Sequence, residues 1–155
     1  MNFRHFVLLF TLIISSCAQQ PVKSSRSFDL MALAYHRHSA ETKALQYQAF
    51  NIAKDVLTQQ LKQKTSKPKA IILDIDETIL DNSRYQSEAN LNNLVFPVGW
   101  TEWTAKAIAE PIPGATEFLN FAGKSKVTIF LVTNRSMEEK DATLKNLKDK
   151  GFTIA

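Results

Sequence analysis

The chain changes its hydrophobic period several times between its ends. Phe6 to Ile14 is a run of nine mainly apolar positions, preceded by the basic Arg4 and followed by Ser15 and Ser16. A basic start, a short apolar core and small residues make the pattern of a secretory signal, and the run is too short to span a bilayer. The stretch that follows, through Ser27, is polar and without period, which predicts a flexible tether. From Ser27 to Thr65 no Gly or Pro interrupts the chain, so helix is expected there. Ser39 is placed to cap a helix, with Glu41 in the first turn where a negative charge suits the helix dipole. Leu45, Ala49, Ile52 and Val56 recur at helical spacing, widened by Phe50, Ala53, Leu57 and Leu61. Together they are expected to form a core-facing stripe.

Beyond Lys67-Pro68-Lys69 the helical period is lost. Ala70-Ile71-Ile72-Leu73 is a continuous apolar run that ends in Asp74, and Val127 to Val132 is a second that ends in Thr133-Asn134-Arg135. Short unbroken apolar runs of this kind predict buried parallel strands. Between them lie an Asn-rich polar stretch, Trp100 and Trp103, and Pro111-Ile112-Pro113-Gly114. Residues 115–122 are expected as a helix that stops at Gly123. A second helix is expected over 137–150, with Met137, Leu144 and Leu147 on one face, an Asp141–Lys145 pair at i,i+4, and Gly151 as its stop. Strand, helix and strand in alternation predict an α/β fold with a parallel sheet.

Composition narrows the picture. With 45% apolar and 22% charged residues the chain has the make-up of a globular protein. A balance of 19 Lys+Arg against 15 Asp+Glu is too mild and too evenly spread to point to nucleic acid as a partner. The single cysteine rules out an internal disulfide framework and a Cys-rich zinc site. His36 and His38, two apart, face different sides of a helix and make a poor metal pair. The cysteine itself is at the end of the signal-like segment, and Ile14-Ser15-Ser16-Cys17 resembles a bacterial lipobox. That resemblance implies a diacylated Cys17 as the mature N-terminus, and Ala18 after it implies sorting to the outer membrane of the cell envelope. Several acyl chains, at about 0.8 kcal/mol per buried CH₂, hold a protein to a membrane lastingly.

The segment with candidate chemistry is Asp74-Ile75-Asp76-Glu77-Thr78-Ile79-Leu80-Asp81-Asn82. Ligands of open α/β sheets bind beyond the carboxyl ends of strands, where Asp74 falls. Two carboxylates spaced i and i+2 at a breaking strand can face one pocket, one as nucleophile and the other handling protons. Their hard oxygens suit Mg²⁺, which also neutralises a phosphate. At the second strand end, Thr133 and Asn134 bring a hydroxyl and an amide suited to phosphoryl oxygens. Aspartates after a strand also serve as turn-formers and caps, and a bare D-x-D would not separate the two roles.

The segment resembles motif I of the haloacid-dehalogenase (HAD) superfamily, D-x-D-x-T after a hydrophobic strand. Its longer form, from Asp74 to Tyr85, is similar to the class C (DDDD-type) acid phosphatases, among them the outer-membrane lipoprotein e 5′-nucleotidases. Glu41, Ala44, Gln48, Phe50 and Ala53 resemble that family's leading helix. Trp100-Thr101-Glu102-Trp103 and Pro111 to Ala115 with Phe118 resemble its cap and the return to the core, and Ile129 to Arg135 its motif II. The resemblance implies a HAD-like, Rossmannoid parallel sheet with an N-terminal helical region and a small cap. Expected boundaries are a signal over 1–16, the tether over 17–27, helices over 28–66, core over 67–82 and 111–155, and cap over 83–110.

By the same resemblance, Asp74 attacks phosphorus and becomes an aspartyl-phosphate, while Asp76 protonates the leaving alcohol and then activates water. The Asp74 carboxylate and the Asp76 backbone carbonyl bind Mg²⁺, and Thr133 and Asn134 hold the phosphoryl group. Arg135 is expected to be structural rather than catalytic, and Trp100 and Trp103 to pack the cap rather than touch substrate. Tyr85 is open between core and pocket wall. The implied partners are a small phosphomonoester, a nucleoside monophosphate included, and the membrane through Cys17. The family's lysine and later aspartates belong to a stretch past Ala155, so this chain is expected to be its N-terminal part, lacking the C-terminal strands and with little or no activity. The alternative is a non-catalytic envelope lipoprotein, an antigen or ligand carrier, on a degraded phosphatase fold. A phosphate-accepting receiver domain is set aside, because receivers do not follow a lipobox.

Overall fold

In a computed structural model the described residues are 26–153; the signal-like segment, Cys17 and Ala18 lie outside them. The N-terminal region is two helices, α1 (Arg26–His38) and α2 (Ala40–Lys62). The break falls at Ser39, which is extended at φ −67°, ψ 142° and whose Oγ accepts the Thr42 backbone N–H at 3.1 Å. This is the expected cap: its oxygen satisfies one of the donors that a helix N-terminus leaves without partners.

Helix α2 does not pack with the whole of its apolar stripe. Leu57 is buried, with Phe50, Ala53 and Leu61 partly buried against the core, whereas Leu45, Ile52 and Val56 are exposed. The residues expected to widen the stripe are thus its packed face, and most of the stripe's expected centre is turned to solvent.

Strands β1 (Ala70–Leu73) and β4 (Thr128–Leu131) pair in parallel, Ala70 opposite Thr128 through Leu73 opposite Leu131. The parallel sheet is as expected, but its burial is not. Ile71, Leu73, Ile129 and Leu131 turn to the core, while their neighbours Ile72 and Phe130 are 72% and 53% exposed. A second ladder was not anticipated: β2 (Leu80–Asp81) pairs antiparallel with β3 (Glu110–Pro111). Neither were helices α3 (Ser83–Leu91) and α4 (Trp100–Lys106), which occupy much of the stretch between the two apolar runs.

Helix α5 (Ala115–Lys124) begins after Gly114, whose φ of +89° is a left-handed conformation that only glycine adopts at little cost. A Cβ there would lie 3.0 Å from the Phe50 Cβ, so the glycine also lets α5 close on α2. Helix α6 (Lys140–Asp149) follows a 3₁₀ turn over Met137–Glu139, and Gly151 at φ +83° terminates it as expected. Its buried face is Thr143, Asn146 and Leu147 rather than Met137 and Leu144, which are exposed. Lys145 pairs with Asp149, one turn after it, and not with Asp141. The core gathers Ile79, Leu80, Leu119 and Leu147, all nearly inaccessible, with Ile71, Leu73, Ile129 and Leu131 of the parallel strands packed against it.

Candidate active site

Strand β1 delivers Asp74 one residue beyond its last ladder pair, and the chain then turns sharply on itself. The N–H groups of Ile79 and Leu80 both donate to the Ile75 carbonyl at 2.9 Å, and Glu77 takes a left-handed φ of 55°. The turn buries Ile75 and leaves Asp74 and Asp76 on the outside of the coil. Strand β4 ends beside it and supplies Asn134 and Arg135. These four residues line one cleft of about 370 Å³ with Glu77, Tyr85, Gln86, Phe96 and Trp100.

Within the cleft, Asp76 is the held carboxylate. Its Oδ1 accepts from Arg135 Nη2 at 2.7 Å, Arg135 Nε at 3.1 Å and Asn82 Nδ2 at 2.9 Å. Its Oδ2 accepts from Arg135 Nε at 3.2 Å and the Thr133 hydroxyl at 3.3 Å. The Arg135 side chain is 3% exposed against 22% for Asp76. Its remaining nitrogen, Nη1, donates to Thr143 Oγ1 at 3.0 Å, and its guanidinium carbon lies 5.5 Å from the centre of the Trp100 ring. Thr133 Oγ1 also accepts the Arg135 backbone N–H at 3.1 Å. Asp74, in contrast, is exposed at the mouth.

Of the residues singled out from sequence, Asp74, Asp76 and Asn134 therefore come together in the cleft, and Thr133 sits behind Asp76 with its hydroxyl already bonded. Arg135 touches the site as directly as any of them. Tyr85 is both core and wall: it is buried, it lines the cleft, and its hydroxyl donates to the Val98 carbonyl at 2.9 Å. Burial, with the charge of Glu102 behind it, pushes the Tyr85 phenol up, so it stays a donor. The two tryptophans divide: Trp103 is packed and donates from Nε1 to Asn82 Oδ1 at 2.9 Å, whereas Trp100 lines the cleft.

Sequence reasoning missed Glu77, Asn82 and Phe96. Glu77 Oε1 accepts the Asn82 backbone N–H at 3.1 Å and Gln86 Nε2 at 3.2 Å. Burial of its carboxyl raises the pKa of Glu77; the hydrogen bonds from Asn82 pull the other way, and the charges of Asp76 and Asp81 add to the rise. For a cation, the Asp74 carboxylate and the Asp76 carbonyl are hard oxygen donors, the kind that Mg²⁺ takes while keeping several waters. Among the described residues no group of three or more His, Cys, Asp or Glu side chains is gathered to enclose a metal.

Comparison with known proteins places this geometry. The family model for the HAD superfamily, subfamily IIIB (Acid phosphatase), matches residues 12–155. The class C acid phosphatase from Bacillus anthracis is 38% identical with a TM-score of 0.78, over 81% of this chain and 53% of that one. The same protein with tungstate bound matches equally well, over 83% and 54%. Acid phosphatase 1 of Solanum lycopersicum is 30% identical over 82 residues, 52% of this chain and 32% of that protein. The chain thus spans about half the length of its solved relatives. By the extent of the family match and the shared parallel fold, this chain belongs to subfamily IIIB of the HAD superfamily, the acid phosphatases.

Proposed function

We propose that the protein is a Mg²⁺-dependent phosphomonoesterase acting on small esters, nucleoside monophosphates among them, and anchored to the bacterial cell envelope through acylated Cys17. An outer-membrane location follows from Ala18 by the lipobox resemblance alone. The observation that carries the catalytic reading is the pair of carboxylates at the end of β1, one exposed and one held, in a cleft with the end of β4.

In this reading an Asp74 oxygen attacks phosphorus and forms an acyl phosphate as the ester P–O bond breaks. Asp76 gives its proton to the departing alkoxide oxygen. It then takes a proton from the water that opens the aspartyl-phosphate, and inorganic phosphate leaves. Asn134 holds a phosphoryl oxygen from the cleft wall, and Thr133 joins it only when its hydroxyl turns away from Asp76 Oδ2. This agrees with a relative that takes up tungstate, a tetrahedral oxyanion like phosphate. When bound at Asp74 and the Asp76 carbonyl, Mg²⁺ supplies positive charge against the phosphoryl oxygens. The activity is proposed for the whole protein; this chain spans about half the length of its solved relatives.

Asp74→Asn in the protein made from its native gene is expected to abolish hydrolysis of a nucleoside monophosphate with the thermal melt unchanged. Chelation with EDTA is expected to do the same reversibly. An unchanged kcat in Asp74→Asn overturns the nucleophile. Capture of the nucleotide that survives both treatments, with no turnover before them, favours the non-catalytic envelope lipoprotein.

A further inference from the structure

Helix α4 contributes Trp103, which reaches Asp76 through a single residue. Trp103 is 3% exposed and Asn82 is fully buried, so the hydrogen bond between them is sealed from water. An indole N–H can only donate. Asn82 must therefore turn its carbonyl oxygen to Trp103, and its amide nitrogen is the end that faces Asp76. The orientation of a buried amide, ordinarily ambiguous, is set here by its partner. The result is a directed relay, Trp103 Nε1–H to Asn82 Oδ1, then Asn82 Nδ2–H to Asp76 Oδ1, both steps at 2.9 Å.

Arg135 grips the same oxygen from the other side with two nitrogens. Arg135 Nη2 and Asn82 Nδ2 donate to Oδ1 alone and fill its two lone-pair directions, while the single Arg135 Nε–H is shared between Oδ1 and Oδ2. Oδ2 has the weaker hold: its two contacts are 3.2 and 3.3 Å long, and one of them is to a hydroxyl that can rotate. The geometry points to Trp103, Asn82 and Arg135 as positioning residues that lock Oδ1 of Asp76 and assign proton transfer to Oδ2. Helix α4, with its Trp100 ring beside the Arg135 guanidinium, is then the back wall of the acid–base and not only a cover. This inference rests on the phosphatase reading for the use of the proton, but not for the lock.

Two measurements on the full protein separate the two. The indole Nε1–H resonance of Trp103 reads the lock whether or not the protein turns over. It is expected downfield and slow to exchange with solvent, and Asp76→Asn is expected to shift it through Asn82. A resonance that exchanges freely, or that ignores Asp76→Asn, overturns the relay. The proton is read by leaving group. Trp103→Phe keeps the ring and removes the donor. It is expected to lower kcat/KM for glycerol phosphate, whose alkoxide needs a proton, by about tenfold more than for p-nitrophenyl phosphate, whose phenolate does not. Arg135→Lys, which keeps the charge but loses the fork, is expected to show the same bias. Equal losses on both substrates overturn the positioning role in favour of simple packing. If neither ester is hydrolysed by the unsubstituted protein, the assignment of the proton falls with the phosphatase reading, and the resonance still decides the lock.

Discussion

At the scale of single residues, two of the three carboxyls that line the cleft are treated in opposite ways. Asp76 is wrapped in donors, whereas Glu77, next along the chain, loses more to burial than its hydrogen bonds return. A carboxyl whose pKa is raised by folding penalises the fold only when ionised. The penalty is absent below the ordinary carboxylate range, grows as pH rises through the raised pKa, and is complete above it. Glu77→Gln cannot ionise and keeps an oxygen to accept the Asn82 N–H. In metal-free buffer the variant is therefore expected to gain on the unsubstituted chain as pH rises from about 3 to about 7. The gain is small, because Glu77 is exposed overall and solvent screens it. Paired thermal melts check this, and a Tm gap that closes with rising pH contradicts the sign.

At the scale of elements, what is legible in the sequence is whatever repeats along the chain. The carboxylates and Asn134 are legible because each follows an apolar run, and strand ends are where such a fold binds its ligands. Ser39 and Gly151 are legible because caps and stops are local chemistry. Asn82 with Trp103 is not, since the contact joins positions 21 apart and no period marks it. Nor could periodicity choose the packed face of α2, for the exposed and buried sets both recur every three or four residues and adjoin each other. The unbroken apolar runs of β1 and β4 likewise do not tell a strand covered on one face from one covered on both. The docking of α2 on α5 is decided instead at Gly114. Gly114→Ala asks an L side chain to sit at φ +89° and drives its Cβ against the Phe50 Cβ and the Tyr47 ring. A loss of roughly 2 kcal/mol is expected from the strain and the contact together. Urea unfolding with an unchanged m-value checks it, and a loss below about 0.5 kcal/mol shows that α5 can shift without cost.

At the scale of the molecule, the described residues leave apolar surface open on the sheet. Ile72 and Phe130 are register partners, Val132 lies two positions further along the same face, and all three are exposed. The edge of β1 away from β4 has no ladder partner among the described residues. A groove of about 580 Å³ runs along β1 between it and α2, lined by Val56, Leu57, Ile71, Ile72 and Phe118 among others. An exposed apolar strand pair with an open edge is a template for pairing with another chain. The 155-residue chain is accordingly expected to self-associate at micromolar concentration, more so at high salt, where burial of apolar surface is favoured. Phe130→Glu places a charge in the middle of that face. It is expected to shift the sedimentation profile toward monomer while changing stability by no more than about 0.5 kcal/mol, as for a solvent-facing position. A Tm lowered by many degrees would mean that Phe130 is packed against something in solution and that the open face is already covered. An unchanged profile with an unchanged Tm would place the association elsewhere, with the apolar loop of Leu94, Val95 and Phe96 beside the cleft as the next surface to charge.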